Sequence, residues 1–234
     1  MAVAMYYWVE DVETTGRTEW HGPVIVRRTE ARTEITMPGT MLTGTLFKVT
    51  GATLDALGLP VTATDVDQLQ VWVNDEPISS FVSSAGLPMT DEDWVLFSTE
   101  GLTVTNLTID LSGEPGLRME MIYARPSRAV GDVGSVRVAA DQVARVEVGP
   151  DKVRYLISGF VGDQVWLLDV TDAANPRLMI GAQRIEVFGE TGLYFSYPNG
   201  GSARCIGVGS TAVIELLPAD IMRQPDVLST TGRN

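Results

Sequence analysis

Cysteine, histidine and carboxylates are the side chains here that could make or break bonds, and their numbers limit what they can do. There is one cysteine, Cys205, and one histidine, His21. A cysteine nucleophile needs a thiolate beside an orienting imidazole, within hydrogen-bond reach. Cys205 sits in Ala203-Arg-Cys-Ile-Gly-Val208, a strand-like run in which a small core hydrophobe is the expected role. A Ser-His-Asp arrangement would need the same His21, and no Gly-x-Ser-x-Gly elbow is present. Zinc takes three or four Cys, His or carboxylate ligands, which one Cys and one His make an improbable set. The expectation is a chain with no catalytic residues of its own.

Carboxylates offer two clusters. Asp91-Glu92-Asp93 precedes Trp94, while Asp163, Asp169 and Asp172 flank an apolar strand. Either could hold Ca²⁺, which takes carboxylate and carbonyl oxygens from loops. A solvated acidic loop accounts for the same residues and is the favoured reading, so no cofactor is expected unless it is calcium. A glycosidase-type carboxylate pair is conceivable but has no fixed place in the sequence. Among five tryptophans, Trp72 lies on the strand face opposite Leu69, Val71 and Val73. It is therefore the candidate for an exposed, glycan-stacking ring. Trp8, Trp20, Trp94 and Trp166 sit in apolar strand contexts and read as core.

The elements that must position these groups are strands. In 234 residues, 44% are hydrophobic, enough to bury a substantial core. Thr and Val recur in short runs broken by Gly and Pro, which favours a pleated sheet over helix. Net charge is −13, so phosphate backbones are repelled and nucleic acid is excluded as a partner. One cysteine rules out an intrachain disulfide framework. The N-terminus lacks a basic segment and a sustained apolar stretch, so no signal peptide is read. No run approaches the roughly 18 apolar residues of a membrane span.

Short apolar and β-branched runs, alternating with period 2 at 68–73 and 102–111, predict strands over 6–11, 20–28, 33–37, 42–50, 68–73, a return from 77, 94–97, 102–111 and 118–123, with a bulge near Asn106. A short helix is expected at 52–57. Pro38-Gly39 and Asn74-Asp75 read as turns. About nine strands make residues 1–124 a jelly-roll-like β-sandwich. Polar residues 125–132 read as a linker. Residues 133–234 form a second, smaller β-sandwich-like module with strands over 135–140, 143–148, 153–158, 164–169, 184–188, 193–197 and 203–208, and one helical turn at 219–222. The fold class expected is all-β.

One stretch carries more specific information. Val153-Arg-Tyr-Leu-Ile-Ser-Gly-Phe160 is followed by Val165-Trp-Leu-Leu-Asp-Val-Thr-Asp172, two alanines, and Asn175-Pro-Arg-Leu178. This run resembles the region just before the catalytic domain in gingipain-like cysteine peptidases. Weaker similarity extends to Trp72-Val-Asn-Asp75, where Asp75 replaces the usual Gly, and to Glu100-Gly-Leu-Thr-Val104. It extends also to Met119–Arg125, with Ala124 where Pro is usual, and to Ala203-Arg-Cys-Ile-Gly207 and Leu217-Pro-Ala-Asp-Ile221.

The resemblance implies a pre-catalytic pair of β domains, prodomain or accessory in type, followed by a peptidase domain beyond Asn234. It implies that the family's catalytic His and Cys lie outside this chain, so neither His21 nor Cys205 inherits that role. The partner implied is the adjacent or cognate peptidase domain, which this chain would help to fold, restrain or supply with substrate. The setting implied is the exterior or surface of a bacterium, with the leader absent from this chain; cytoplasmic residence stays open. Peptidases of this class include Arg-specific ones, so processing near Arg223 or Arg233 is one account of the chain's end, and simple truncation is the plainer one. Two other classes stay open: a free-standing carbohydrate- or surface-binding module, and a structural subunit of a surface assembly.

Overall fold

A computed structural model of the chain describes residues 4–12, 18–27, 34–39, 42, 44–84, 88–111, 114–198 and 201–218, with backbone pairing alone for the first two segments. The expected helical turn at 219–222 and the processing positions Arg223 and Arg233 lie outside them.

The described chain is all-β apart from one six-residue helix and short 3₁₀ turns. β1 (Ala4–Val12) and β2 (Thr18–Arg27) form an antiparallel two-stranded sheet. Next come β3 (Glu34–Pro38), β4 (Leu46–Thr50), helix α1 (Gly51–Ala56), β5 (Leu69–Val73), β6 (Glu76–Ile78), β7 (Phe81–Val82), β8 (Trp94–Ser98) and β9 (Asn106–Leu111). The second half holds β10 (Met121–Tyr123), β11 (Val133–Arg137), β12 (Val143–Val148), β13 (Arg154–Phe160), β14 (Val165–Asp169) and β15 (Arg177–Ile180). It closes with β16 (Gln183–Val187), β17 (Glu190–Phe195), β18 (Ala203–Gly209) and β19 (Val213–Glu215).

Four sheets follow from the pairing, in the orders β3-β9-β5-β6, β19-β4-β8-β7, β10-β15-β14-β18-β12 and β11-β13-β17-β16. Their cores fix how they stack. Ile35, Met37, Val71 and Ile109 of the first sheet meet Phe47, Val49, Val95 and Phe97 of the second. Leu46 and Leu96, on the other face of that second sheet, meet Val143, Leu168, Ile206 and Val208 of the third. The third sheet's remaining face, with Leu167 and Cys205, packs on Tyr155, Ile157, Leu193 and Phe195 of the fourth. The result is two sandwiches laid face to face, four layers deep.

Layering explains the apolar runs. A strand with one wet face alternates, as β3 does with an exposed–buried pattern. A strand in either inner sheet is apolar on both sides, so β4, β8 and β14 read as near-continuous hydrophobic segments.

Strand membership crosses the expected 125–132 linker twice. β10, from the first segment, pairs in parallel with β15 of the second. β19, from the second, pairs in parallel with β4 and completes an edge of the first sandwich. The sandwich expected within residues 1–124 is thus finished from outside it. No helix among the described residues is long and apolar enough to cross a membrane.

Local chemistry matches most turns. Asn74 and Asp75 take positive φ of 52° and 66° at the β5–β6 hairpin, the twist that two-residue hairpin turns need. Thr50 caps α1, its hydroxyl accepting from the Thr53 N–H at 3.2 Å. At the Pro38-Gly39 turn the glycine is required for space: a Cβ there would lie 2.0 Å from the Val104 carbonyl oxygen. The bulge expected near Asn106 is instead a break, because the strand begins at Asn106. Residues 103–106 are held by Asn74, whose Nδ2 donates to the Thr103 carbonyl at 2.6 Å and whose Oδ1 accepts from the Thr105 and Asn106 N–H groups.

Candidate functional site

Asp169 ends β14 and is 2% exposed. A carboxylate so placed must be fully hydrogen-bonded to stay charged. Its Oδ1 accepts from the Thr171 N–H at 2.9 Å and the Thr171 hydroxyl at 2.6 Å. Its Oδ2 accepts from Arg177 Nε at 3.1 Å, from Arg177 Nη2, and from the Tyr197 hydroxyl at 2.8 Å. Burial alone would raise this carboxyl's pKa; the bonds from Thr171, Tyr197 and Arg177 overcome it and hold the group below its ordinary value. Tyr197 is pushed up by burial and by its bond to Asp169. Every strong acceptor position is spent inside the protein, which makes this a structural network and not a proton-transfer site.

The loop leaving it is equally committed. Asp172 accepts from the Asn175 side chain at 3.0 Å and from the Ala174 and Asn175 N–H groups, an Asx-type turn that holds it below its ordinary pKa. The carbonyls of Ala174 and Pro176 then accept from the Ser79 N–H at 2.9 Å and the Ser79 hydroxyl at 3.2 Å, in the first half of the chain. Nearby, Arg145 of β12 makes a two-pronged ion pair with Glu100 at 2.7 and 3.0 Å. Residues 165–178 therefore weld the two sandwiches together.

Cys205 lies on β18 opposite Asp169 and is 1% exposed. Burial, reinforced by the Asp169 charge, pushes its thiol up to about 12. It stays protonated and packs as a core residue. His21 falls on β2, opposite Val9 in the separate two-stranded sheet.

The weld opens on one side as a cleft of about 480 Å³ that includes Lys48, Trp94, Asp163, Trp166 and Glu215. Trp94 and Trp166 meet edge to face at 5.2 Å. Both were expected in the core; they are half-buried because they pack on the edge of the core between the inner sheets and line the cleft.

Of the calcium candidates, Asp169 and Asp172 are spent as described. Asp93 accepts from the Thr90 N–H and hydroxyl at 2.8 and 2.9 Å and from the Ser83 hydroxyl at 3.0 Å. Asp91 and Glu92 are exposed beside it, and Asp163 is exposed in the cleft. Among the described residues, no three His, Cys, Asp or Glu side chains group as a metal's donor set.

Trp72 does point away from the core, as its alternation predicts, and it lies in a groove. The groove runs over the outer face of the first sheet, has a volume of about 440 Å³, and is lined by Glu34, Thr36, Trp72, Asp75, Asn106, Thr108 and Asp110. Register puts Thr36, Thr108 and Trp72 in one row across β3, β9 and β5, with Glu34 and Asp110 in the next. The Thr36 and Thr108 hydroxyls are 3.0 Å apart. Five buried side-chain polar atoms among the described residues lack a partner, and three belong to residues that line this groove: Trp72 Nε1, Asn106 Oδ1 and Asp110 Oδ1. A buried polar atom left unpaired costs about 1–3 kcal/mol, so their clustering needs an explanation. Apart from Trp72, these residues escaped the sequence reading as site residues. The alternation of Asn106, Thr108 and Asp110 with Leu107, Ile109 and Leu111 was the available signal.

No family model, curated protein or solved structure matches the chain.

Proposed function

We propose that this chain is the non-catalytic β region that precedes the peptidase domain in a gingipain-like cysteine peptidase. It acts there as a stiff platform that helps the peptidase fold, restrains it, or holds substrates near it. The observation that carries this reading is the position of the stretch bearing the resemblance. Its β13 and β14 lie in adjacent sheets of the second sandwich, and its 171–176 loop is bonded to Ser79 of the first. A platform needs such a weld, because a flexible pair of domains could not hold a neighbour in one geometry. The net charge of −13 suits a partner surface that presents basic side chains. The setting this implies is the exterior or surface of a bacterial cell.

Size-exclusion chromatography of the purified chain mixed with a gingipain-like peptidase domain from the same organism tests the reading. Co-elution is expected, together with a several-fold change in refolding yield or peptide-hydrolysing rate. Separate elution with unchanged yield and rate would contradict it.

A further inference from the structure

We propose that the groove over β3, β9 and β5 is a binding site for a neutral carbohydrate. It is independent of the peptidase reading, and its ligand follows from the chemistry of the lining.

Trp72 supplies a half-buried indole on an antiparallel sheet face, the amphipathic kind of surface on which an apolar sugar face stacks while its rim stays polar. Around it stand groups of both hydrogen-bonding kinds. Trp72 Nε1 is a donor without a protein partner, and Asn106 Oδ1 and Asp110 Oδ1 are acceptors without one. A ligand that answers both must donate and accept within a small space, and hydroxyl groups do so. A guanidinium or ammonium only donates, so a basic peptide could meet the acceptors and stack on the ring but would leave the indole N–H unanswered.

Charge narrows the class further. Among the described residues that line the groove, Glu34, Asp75 and Asp110 are acidic and none is Lys or Arg. Sulfated or uronate-rich glycans are repelled from such a face, while uncharged sugars are not. The site is also built on strands and not on loops. Trp72, Thr108 and Thr36 are held in register by the β5–β9 and β9–β3 ladders, so little has to be ordered on binding.

Native affinity electrophoresis of the whole chain tests this, in gels containing a neutral β-glucan, xylan or mannan, with alginate and heparin as anionic counterparts. Retardation by at least one neutral polysaccharide and by neither anionic one is expected. Trp72→Ala should weaken that retardation at least tenfold, and Asp110→Asn several-fold, with both variants still melting in one cooperative transition because both side chains lie on the outer face and outside the core. Three results would overturn the assignment: no retardation by any of the three neutral polymers, retardation that survives both substitutions, or binding of a hexa-arginine peptide that Trp72→Ala abolishes.

Discussion

Replacing Asp169 with Ala lowers the stability of the chain by about 3–5 kcal/mol, the usual cost of removing one partner from a buried charged pair. The size follows from what is left behind. Arg177 and Tyr197 lose the acceptor they share, and the Thr171 N–H and hydroxyl lose theirs. Against a total of about 5–15 kcal/mol for a natural domain, that is a large fraction. Urea unfolding followed by tryptophan fluorescence reads it as a drop in midpoint. Asp169→Asn should cost less than Ala, because an amide oxygen still accepts from Thr171, yet it leaves Arg177 with only the longer Glu120 contact at 3.9 Å. Acid should act on the same group. The folded pKa of Asp169 lies below the unfolded value of about 3.9. Its contribution is therefore fully present above pH 4 to 5 and is lost as pH falls through the folded value. Asp172 and Asp93 are shifted in the same direction and add to the acid sensitivity. An unfolding free energy for Asp169→Ala within about 1 kcal/mol of wild type would show that the network is ornamental.

Leu168→Ala should cost a similar amount, about 2–5 kcal/mol, for a different reason. Leu168 has no exposed surface and packs in the core between the inner sheets, against Leu46 and Leu96 on one side and Ile206 and Val208 on its own. Truncation leaves a cavity between two sheets that are both fixed by further packing on their far faces, so little collapse can fill it. The loss should appear in the unfolding of both sandwiches together. Partial-unfolding traces in which only the second half is weakened would run against this.

How much of this was legible in the sequence depends on which face a strand shows. β5 alternates Leu69, Val71 and Val73 with Gln70 and Trp72, so both its strand character and the outward Trp72 could be read. β14 does not alternate. Val165-Trp-Leu-Leu-Asp169 is apolar on both sides because it lies between two packed layers, and a sequence does not say what the second layer is. The same ambiguity put Trp94 and Trp166 in the core. β7, β15 and β19 were missed because each is short, and β19 is specified by pairing with β4 more than 160 residues earlier in the chain, where no local signal exists. The groove was half legible for a related reason: Trp72 announces itself on its own strand, but Asn106, Asp110, Glu34 and Thr36 join it only through a register set by non-local pairing.

Hydrogen exchange measured by mass spectrometry on the intact chain is the most direct test of the central claim, that the two halves form one four-layer body welded through residues 165–178. Peptides covering β4 and β8 of the first sandwich and β14 and β18 of the second should exchange at the same slowest rate, because each opens only when the whole body unfolds. Exchange of one pair through a separate, lower-energy opening while the other stays protected would contradict the weld, and with it the stiff platform on which the proposed function rests.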